Sequence, residues 1–321
     1  MERSSFLPVI AGIALAAAVS EAAPRRYRPF IATKDRTRAV MFVPPEHDRG
    51  TPSDASDADT VDVAVAVAYS LSKMGVKVLW VNDRARSAGM EKLKAMGADM
   101  SFVEHVVTPQ PYRNPYIRDY APFMLMDRET GGWSAVRLDR RKSDRSEESW
   151  LGDWLEKTYR IPVVGVVPVK DTRDSGGNVL MDEQGRCYSA GKTHPLFKSL
   201  IRCSRTVTMP CWSEVCHVDE YLTFLKDETA VTNKEKLVPV LRRAGYKNIL
   251  RVPDDPDLSF ANVLIIGDTI FLMYIPSLQA EMEKARSVYE SQGYRVIPVR
   301  SNSASAKNGA LHCLTKEIPA F

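Results

Sequence analysis

Short runs of alternating apolar and polar residues recur along this chain in a fixed order. "PFMLMDRETGGWSAVRLD" (122–139) predicts two strands around a Gly-Gly turn. A helix follows in "SEESWLGDWLEKTYR" and a strand in "IPVVGVVPV". "GNVLMDEQGRCYSAG" (177–191) repeats the strand pair around Gly185, with "HPLFKSLIRCS" as its helix and "TVTMP" as its closing strand. "EYLTFLKDETAVTN" gives a third pair, followed by the helix "KEKLVPVLRRAG" and the strand "NILRVP". "NVLIIGDTIFLMYI" (262–275) turns at Gly267-Asp268 and leads into the helix "LQAEMEKARSVYESQG" and the strand "YRVIPV". Upstream lie the strand "RAVMFVP", the helix "TVDVAVAVAYSLSKMG", the strand "VKVLWVN", a helix near 87–97 and the strand "MSFVEHVV".

The unit is strand, turn, strand, helix, strand, with a spacing of roughly 40–55 residues. That spacing predicts an α/β array in which neighbouring units complete one core. An ordinary α/β sheet is the alternative, since its alternation looks similar.

Residues able to do chemistry gather at one place in each unit, just before its first strand. Asp119 precedes Phe123, Asn178 precedes Val179, His217 and Asp219 precede Tyr221, and Asn262 precedes Val263. Units related by rotation would bring these positions to one end of a common axis. Cys313, after the last closing strand, could reach the same end. Taken singly, each signal is weak: "IRDY" is an ordinary turn or ion pair, "HVDE" a strand end, and "SGGN" a turn. Together they place a candidate nucleophile, Cys313, with a candidate acid and base, His217. Two carboxylates, Asp119 and Asp219, join them, and paired acids facing one pocket call for a cation. A planar guanidinium offers both its edges to carboxylates.

Composition narrows the class without changing this picture. The 321 residues are 44% hydrophobic and 26% charged, enough for a large core. The net charge of +4 is dispersed along the chain, which argues against nucleic acid. Arg3, an apolar run from Phe6 to Val19 and the small residues up to Ala22 and Ala23 read as a signal peptide. The expectation is a removed leader over 1–23, a single domain over 24–321, a secreted or periplasmic protein and no membrane contact after cleavage. Five cysteines leave one unpaired within the chain. Cys211 with Cys216 and Cys187 with Cys203 are open pairings, and Cys313 stands apart. No spacing resembles a zinc site.

"IRDYAP" (117–122), "SGGN" (175–178), "CHVDEYLTF" (216–224), "FANVL" (260–264) and "GALHCLT" (309–315) occur in this order. The set resembles the motifs of the agmatine deiminase and Porphyromonas-type peptidylarginine deiminase family, guanidino-group-modifying enzymes of the pentein fold. The resemblance spans roughly residues 35–321. It implies a five-bladed α/β propeller and hydrolysis of a guanidinium to a ureido group with release of ammonia. It implies Cys313 as the nucleophile that forms a thiouronium, His217 as proton carrier, and Asp119 and Asp219 as the guanidinium clamp. No metal or organic cofactor is implied. Arg118, Gly177, Asn178, Asn262 and His312, within the same motifs, are expected to bind substrate.

Three departures bear on the reading. Ala121 and Ala310 stand where the family has glycine, and alanine is costly there if φ is positive. Ser175 stands where agmatine deiminases tend to carry Glu. The leader and Ser175 favour an arginyl peptide or protein as the guanidino substrate, while the C-terminal motif favours agmatine. A cysteine hydrolase or amidinotransferase, and a catalytically inactive secreted binding protein on the same scaffold, are the readings from other classes. Oligomeric state is not legible.

Overall fold

The computed structural model describes residues 26–46, 54–108, 114–139, 149–169, 174–191, 199–201, 203–212, 216–302 and 310–319. The expected leader, most of the expected helix over 194–204 and Gly309 lie outside the described residues. Among the described residues no helix is long and apolar enough to cross a membrane.

The repeat is present as sheets. β5 (Phe123–Asp127) pairs antiparallel with β6 (Trp133–Asp139), and β7 (Val163–Pro168) joins β6 in parallel. The helix α3 (Trp150–Tyr159) makes the crossover, as a parallel third strand requires. The same rule builds β8 (Leu180–Met181), β9 (Arg186–Ala190) and β10 (Arg205–Met209). It builds β11 (Leu222–Leu225), β12 (Thr229–Thr232) and β13 (Asn248–Arg251), crossed by α4 (Val238–Arg243). It also builds β14 (Leu264–Ile266), β15 (Thr269–Tyr274) and β16 (Arg295–Arg300), crossed by α5 (Gln279–Glu290). A short strand, β1 (Tyr27–Pro29), extends the first of these sheets beyond β5.

The fifth sheet differs from the sequence reading. β2 (Thr37–Phe42), α1 (Ala55–Lys73), β3 (Lys77–Asn82), α2 (Ala88–Ala95) and β4 (Val103–Val107) lie where expected. The first strand of this unit comes from the other end of the chain. It is β17 (Lys316–Pro319), antiparallel to β2. "KEIP" carries two charges and a proline in four residues, so its polarity hides a strand. Both charges are buried in the fold, Lys316 at 6% and Glu317 at 1% exposure.

The core follows from the pattern. Val61, Val65, Ala68 and Leu71 of α1 are buried with Val40, Phe42, Val78 and Trp80 of the sheet beneath. Each such side chain contributes about 1.5–3 kcal/mol on burial. Buried carboxylates outside the candidate site are satisfied. Glu46 accepts from Trp80 Nε1 (3.1 Å), Asn82 Nδ2 (3.1 Å), Ser87 Oγ (2.6 Å) and the Gly89 amide (2.7 Å). Asp182 accepts from Arg186 Nε (2.6 Å), Tyr188 (3.0 Å) and Tyr246 (2.7 Å). Disulfides join Cys187 to Cys203 and Cys211 to Cys216, and Cys313 is a free, buried thiol.

The first strands of all five sheets border one internal cavity. Met124 of β5, Leu180 of β8, Thr223 of β11, Ile265 of β14 and Lys316 of β17 line it. β17 is fixed there by a buried ion pair between Glu317 and Arg118, whose side chains are 2% and 8% exposed. Replacing Glu317 by Gln leaves the Arg118 charge buried without its partner. The variant should lose about 3–5 kcal/mol of unfolding free energy. Denaturant titration against the parent checks this, and a loss below about 1 kcal/mol would show that the pair does not anchor β17.

Candidate active site

Each sheet is entered through a tight turn, and the turns carry the chemistry. Single 3-10 turns over Ile117–Asp119, Gly176–Asn178 and Val218–Glu220 precede β5, β8 and β11. The second of them packs against both the others. The loop at 260–263 precedes β14, and the turn at 311–314 precedes β17. Equivalent positions of different units therefore meet in space, as the spacing predicts.

Asp219 lies at the centre. Its Oδ2 is 3.4 Å from Cys313 Sγ and 2.7 Å from His312 Nδ1. Its Oδ1 is buried with no hydrogen-bond partner among the described residues. His217 places Nε2 2.6 Å from Ser175 Oγ and Nδ1 3.5 Å from Asp119 Oδ1. The space that joins these groups lies over Gly177. A methyl group there would sit 2.7 Å from His217 Nδ1, 3.0 Å from Asp119 Oδ1 and 3.2 Å from Asp219 Oδ1. A base and two carboxylates therefore crowd the Cα of Gly177, and only glycine lets them come this close to one another. Gly176 has a separate reason to be glycine, since its methyl would fall 1.9 Å from the Arg118 carbonyl oxygen.

Electrostatics define the resting state. Burial, then the charges of Asp219 and Asp119, push the Cys313 thiol well above its ordinary range. Asn262 Nδ2, 3.1 Å from Sγ, offsets this only in part. Burial opposes ionisation of Asp219, yet the His312 hydrogen bond and the His312, His217 and Arg118 charges hold its carboxyl below the usual range. Burial, then Arg118, lowers His312. Tyr116 is pushed up to about 12 by burial and by the neighbouring Cys313 and Asp119 charges. The site thus rests with ionised Asp219 beside a neutral thiol.

The structure brings Cys313, His217, Asp119, Asp219 and Gly177 to one point. The other expected substrate contacts each hold part of the protein: polar atoms of Asn178, Arg118, Asn262 and His312 are engaged with neighbouring residues. Asn178 is fully buried, with Nδ2 on the Ala190 carbonyl (2.9 Å) and Oδ1 on the Ala190 amide (2.8 Å). It fastens the turn to β9. Arg118 spends its guanidinium on Glu317 and on the His312 carbonyl (3.1 Å). Asn262 Oδ1 receives the amides of Ala310 (3.1 Å), His312 (3.0 Å) and Cys313 (3.3 Å), so it shapes the loop that presents the thiol. His312 is turned onto Asp219. These four residues position the site.

Ala121 and Ala310 are both buried, and neither is among the residues with positive φ, so alanine carries no backbone penalty at either position. Two residues of the site escaped the sequence reading. Tyr116 is an unremarked aromatic two positions before Arg118. Ser175 registered only as a departure, yet its hydroxyl holds the His217 ring. The four-residue motif "SGGN" contained that signal.

Because Asp219 raises the Cys313 thiol, Asp219→Asn should lower it. Removing one negative charge stabilises the thiolate, and a fall of about one unit multiplies thiolate at neutral pH about tenfold. Thiolate ultraviolet absorbance during a pH titration measures this. An unchanged or higher Cys313 pKa would contradict the electrostatic account.

No protein-family model and no curated protein sequence matches this chain. Solved structures do. A C. jejuni agmatine deiminase aligns with a TM-score of 0.71 at 13% identity, over 92% of this chain and 96% of its own. A Porphyromonas gingivalis protein provisionally described as an arginine deiminase aligns with a TM-score of 0.67 at 13% identity, over 91% and 98%. SxtG, an amidinotransferase of Microseira wollei, aligns with a TM-score of 0.58 at 14% identity, over 90% and 96%. At this identity the agreement is one of architecture, and it extends over nearly the full length of both partners. The chain carries the pentein-type α/β fold that these deiminases and the amidinotransferase share.

Proposed function

We propose that this protein is a guanidine deiminase, a hydrolase that converts a guanidinium to a ureido group and ammonia. One observation carries the reading. His217 Nδ1, Asp119 Oδ1 and Asp219 Oδ1 converge beside Gly177, each within 3.2 Å of where a side chain would begin, and the other Asp219 oxygen lies 3.4 Å from the Cys313 thiol. A guanidinium bound beside these groups would bring positive charge to two acids and a thiol. Its arrival favours thiolate, which is the form that attacks. We infer further that the five sheets are blades around one axis, since the first strand of each borders the same cavity.

In the proposed mechanism the Cys313 proton passes to His217, and the sulfur pair forms a bond to the guanidinium carbon. His217 returns the proton to the departing nitrogen as the C–N bond breaks, and ammonia leaves. A thiouronium remains. Water then adds to its carbon while His217 takes a proton. The C–S bond breaks, its pair returns to sulfur together with the proton of the added hydroxyl, His217 gives its proton to the ammonia or to water, and the neutral ureido product is released. Asp119 and Asp219 stabilise charge on the nitrogens through both tetrahedral stages. The Ser175 hydroxyl can donate to or accept from His217 Nε2, so it holds the ring in both protonation states.

The substrate we favour is the arginyl side chain of an exported peptide or protein, in a secreted or periplasmic setting. The leader-like N-terminus supports this, and so do two disulfides, which persist in oxidising compartments. Agmatine is the second reading, favoured by the C-terminal motif. The ordinary backbone at Ala121 and Ala310 supports the enzyme reading over an inactive scaffold.

The mature protein is to be incubated with a blocked arginyl peptide, agmatine and free arginine, with ammonia and ureido product measured. Turnover of the peptide above the other two is expected; turnover of none would overturn the deiminase reading. Cys313→Ser should abolish product formation. Gly177→Ala, which fills the clamp, should cost at least ~100-fold in kcat/KM, since the displaced guanidinium loses its alignment.

A further inference from the structure

The cavity bordered by the five first strands holds hydrogen-bond donors that lack acceptors. Lys316 is 6% exposed and lines it. Its ammonium donates to no carboxylate or carbonyl among the described residues; it faces the Phe123 ring, 5.2 Å from the centroid. Thr33, 9% exposed, also lines the cavity, and its Oγ1 is buried without a hydrogen-bond partner among the described residues. Arg118, 7% exposed, gives Nη2 to Glu317 and Nε to the His312 carbonyl. Its Nη1 donates no hydrogen bond among the described residues.

Charge points the same way. The lining carries two cations, Arg118 and Lys316, and one carboxylate, Glu317, which Arg118 already occupies. A buried ammonium facing only an aromatic ring leaves most of its desolvation cost unrepaid. A water molecule can accept its hydrogen bond but brings no charge. A cation would be repelled. The complement to donors on one shared lining and one surplus positive charge is a small acceptor with one negative charge.

We propose that this cavity is a binding site for a small monovalent anion, a halide or a compact carboxylate such as formate, held by Lys316 Nζ, Arg118 Nη1 and Thr33 Oγ1. The site is distinct from the space over Gly177 and does not rest on the deiminase reading. Arg118 links the two places, because its backbone N–H donates to the Cys313 carbonyl (3.2 Å).

Occupancy depends on pH. Burial, then Arg118, draws Lys316 down to about 7, against the opposing pull of Glu317. The charged and titratable groups on the lining are Arg118 and His312 from the entry turns, and Lys316 and Glu317 from β17; the lining positions of β5, β8, β11 and β14 are uncharged. An anion binds the ammonium form and therefore raises the Lys316 pKa. Affinity should be steady below that value and fall about tenfold per pH unit above it.

The test uses the whole protein, with chloride or formate replacing gluconate at constant ionic strength and gluconate as the bulky comparison anion. Chlorine NMR line broadening and the thermal midpoint are recorded one pH unit below and two above the Lys316 value. Chloride should broaden and raise the midpoint at the lower pH and do neither at the higher. Formate should displace chloride if the site takes either anion; failure to displace it restricts the site to halides and leaves the anion assignment standing. Lys316→Met should abolish the broadening, and Thr33→Val should weaken affinity at least threefold. The proposal is overturned if the parent protein gives no chloride broadening, if gluconate stabilises equally, or if Lys316→Met binds as tightly as the parent. Should Lys316→Met fail to fold, Thr33→Val decides, and unchanged chloride affinity in that variant overturns the proposal.

Discussion

Buried negative charge in search of a cation governs this molecule. Asp219 is 1% exposed, ionised, and has one oxygen without a hydrogen-bond partner among the described residues. Its other oxygen suppresses the thiol it touches. Such a site is unfinished until something positive enters, and the scaffold tolerates it because its surroundings are overdetermined. Asn262 receives three consecutive-loop amides on one oxygen, His312 braces Asp219, and the Asn178 side chain fastens its turn to β9. The polar residues around the acids maintain a strained charge pattern. The sequence groups them with the expected substrate contacts because they occupy the same motifs.

The repeat was legible because each unit obeys local rules. Strand pairs turn at Gly131, Gly185 and Gly267, whose φ values are 71°, 70° and 59°. The third pair turns at Asp227-Glu228, with φ of 55° and 52°, where no glycine marks the turn but the flanking apolar runs do. The convergence of Asp119, His217, Asp219 and Cys313 was legible for the same reason: a position repeated in the unit is a place repeated in space. What local rules do not reach is the fifth unit. β17 becomes a strand only because β2 offers it an edge and Arg118 offers Glu317 a partner, both nearly two hundred or more residues away. Its sequence alone gives neither. Ser175 was equally hidden, since a hydroxyl acquires its role from the imidazole that lands beside it.

The cavity and the active site express one arrangement from opposite sides. On one side acids converge without enough positive charge; on the other, donors converge without enough negative charge. Arg118 stands between them, and its backbone and side chain touch both loops and β17. Breaking either balance is felt through that residue.

The position of Cys313 after all the other cysteines has a consequence for assembly. The two disulfides join residues 16 and 5 positions apart, so each closes a short loop between neighbours. In a chain made from its N-terminus, all four partners are present before Cys313 appears. The free thiol comes last, together with the strand that completes the fifth sheet. Order along the chain thereby favours the two local pairings over one that takes Cys313.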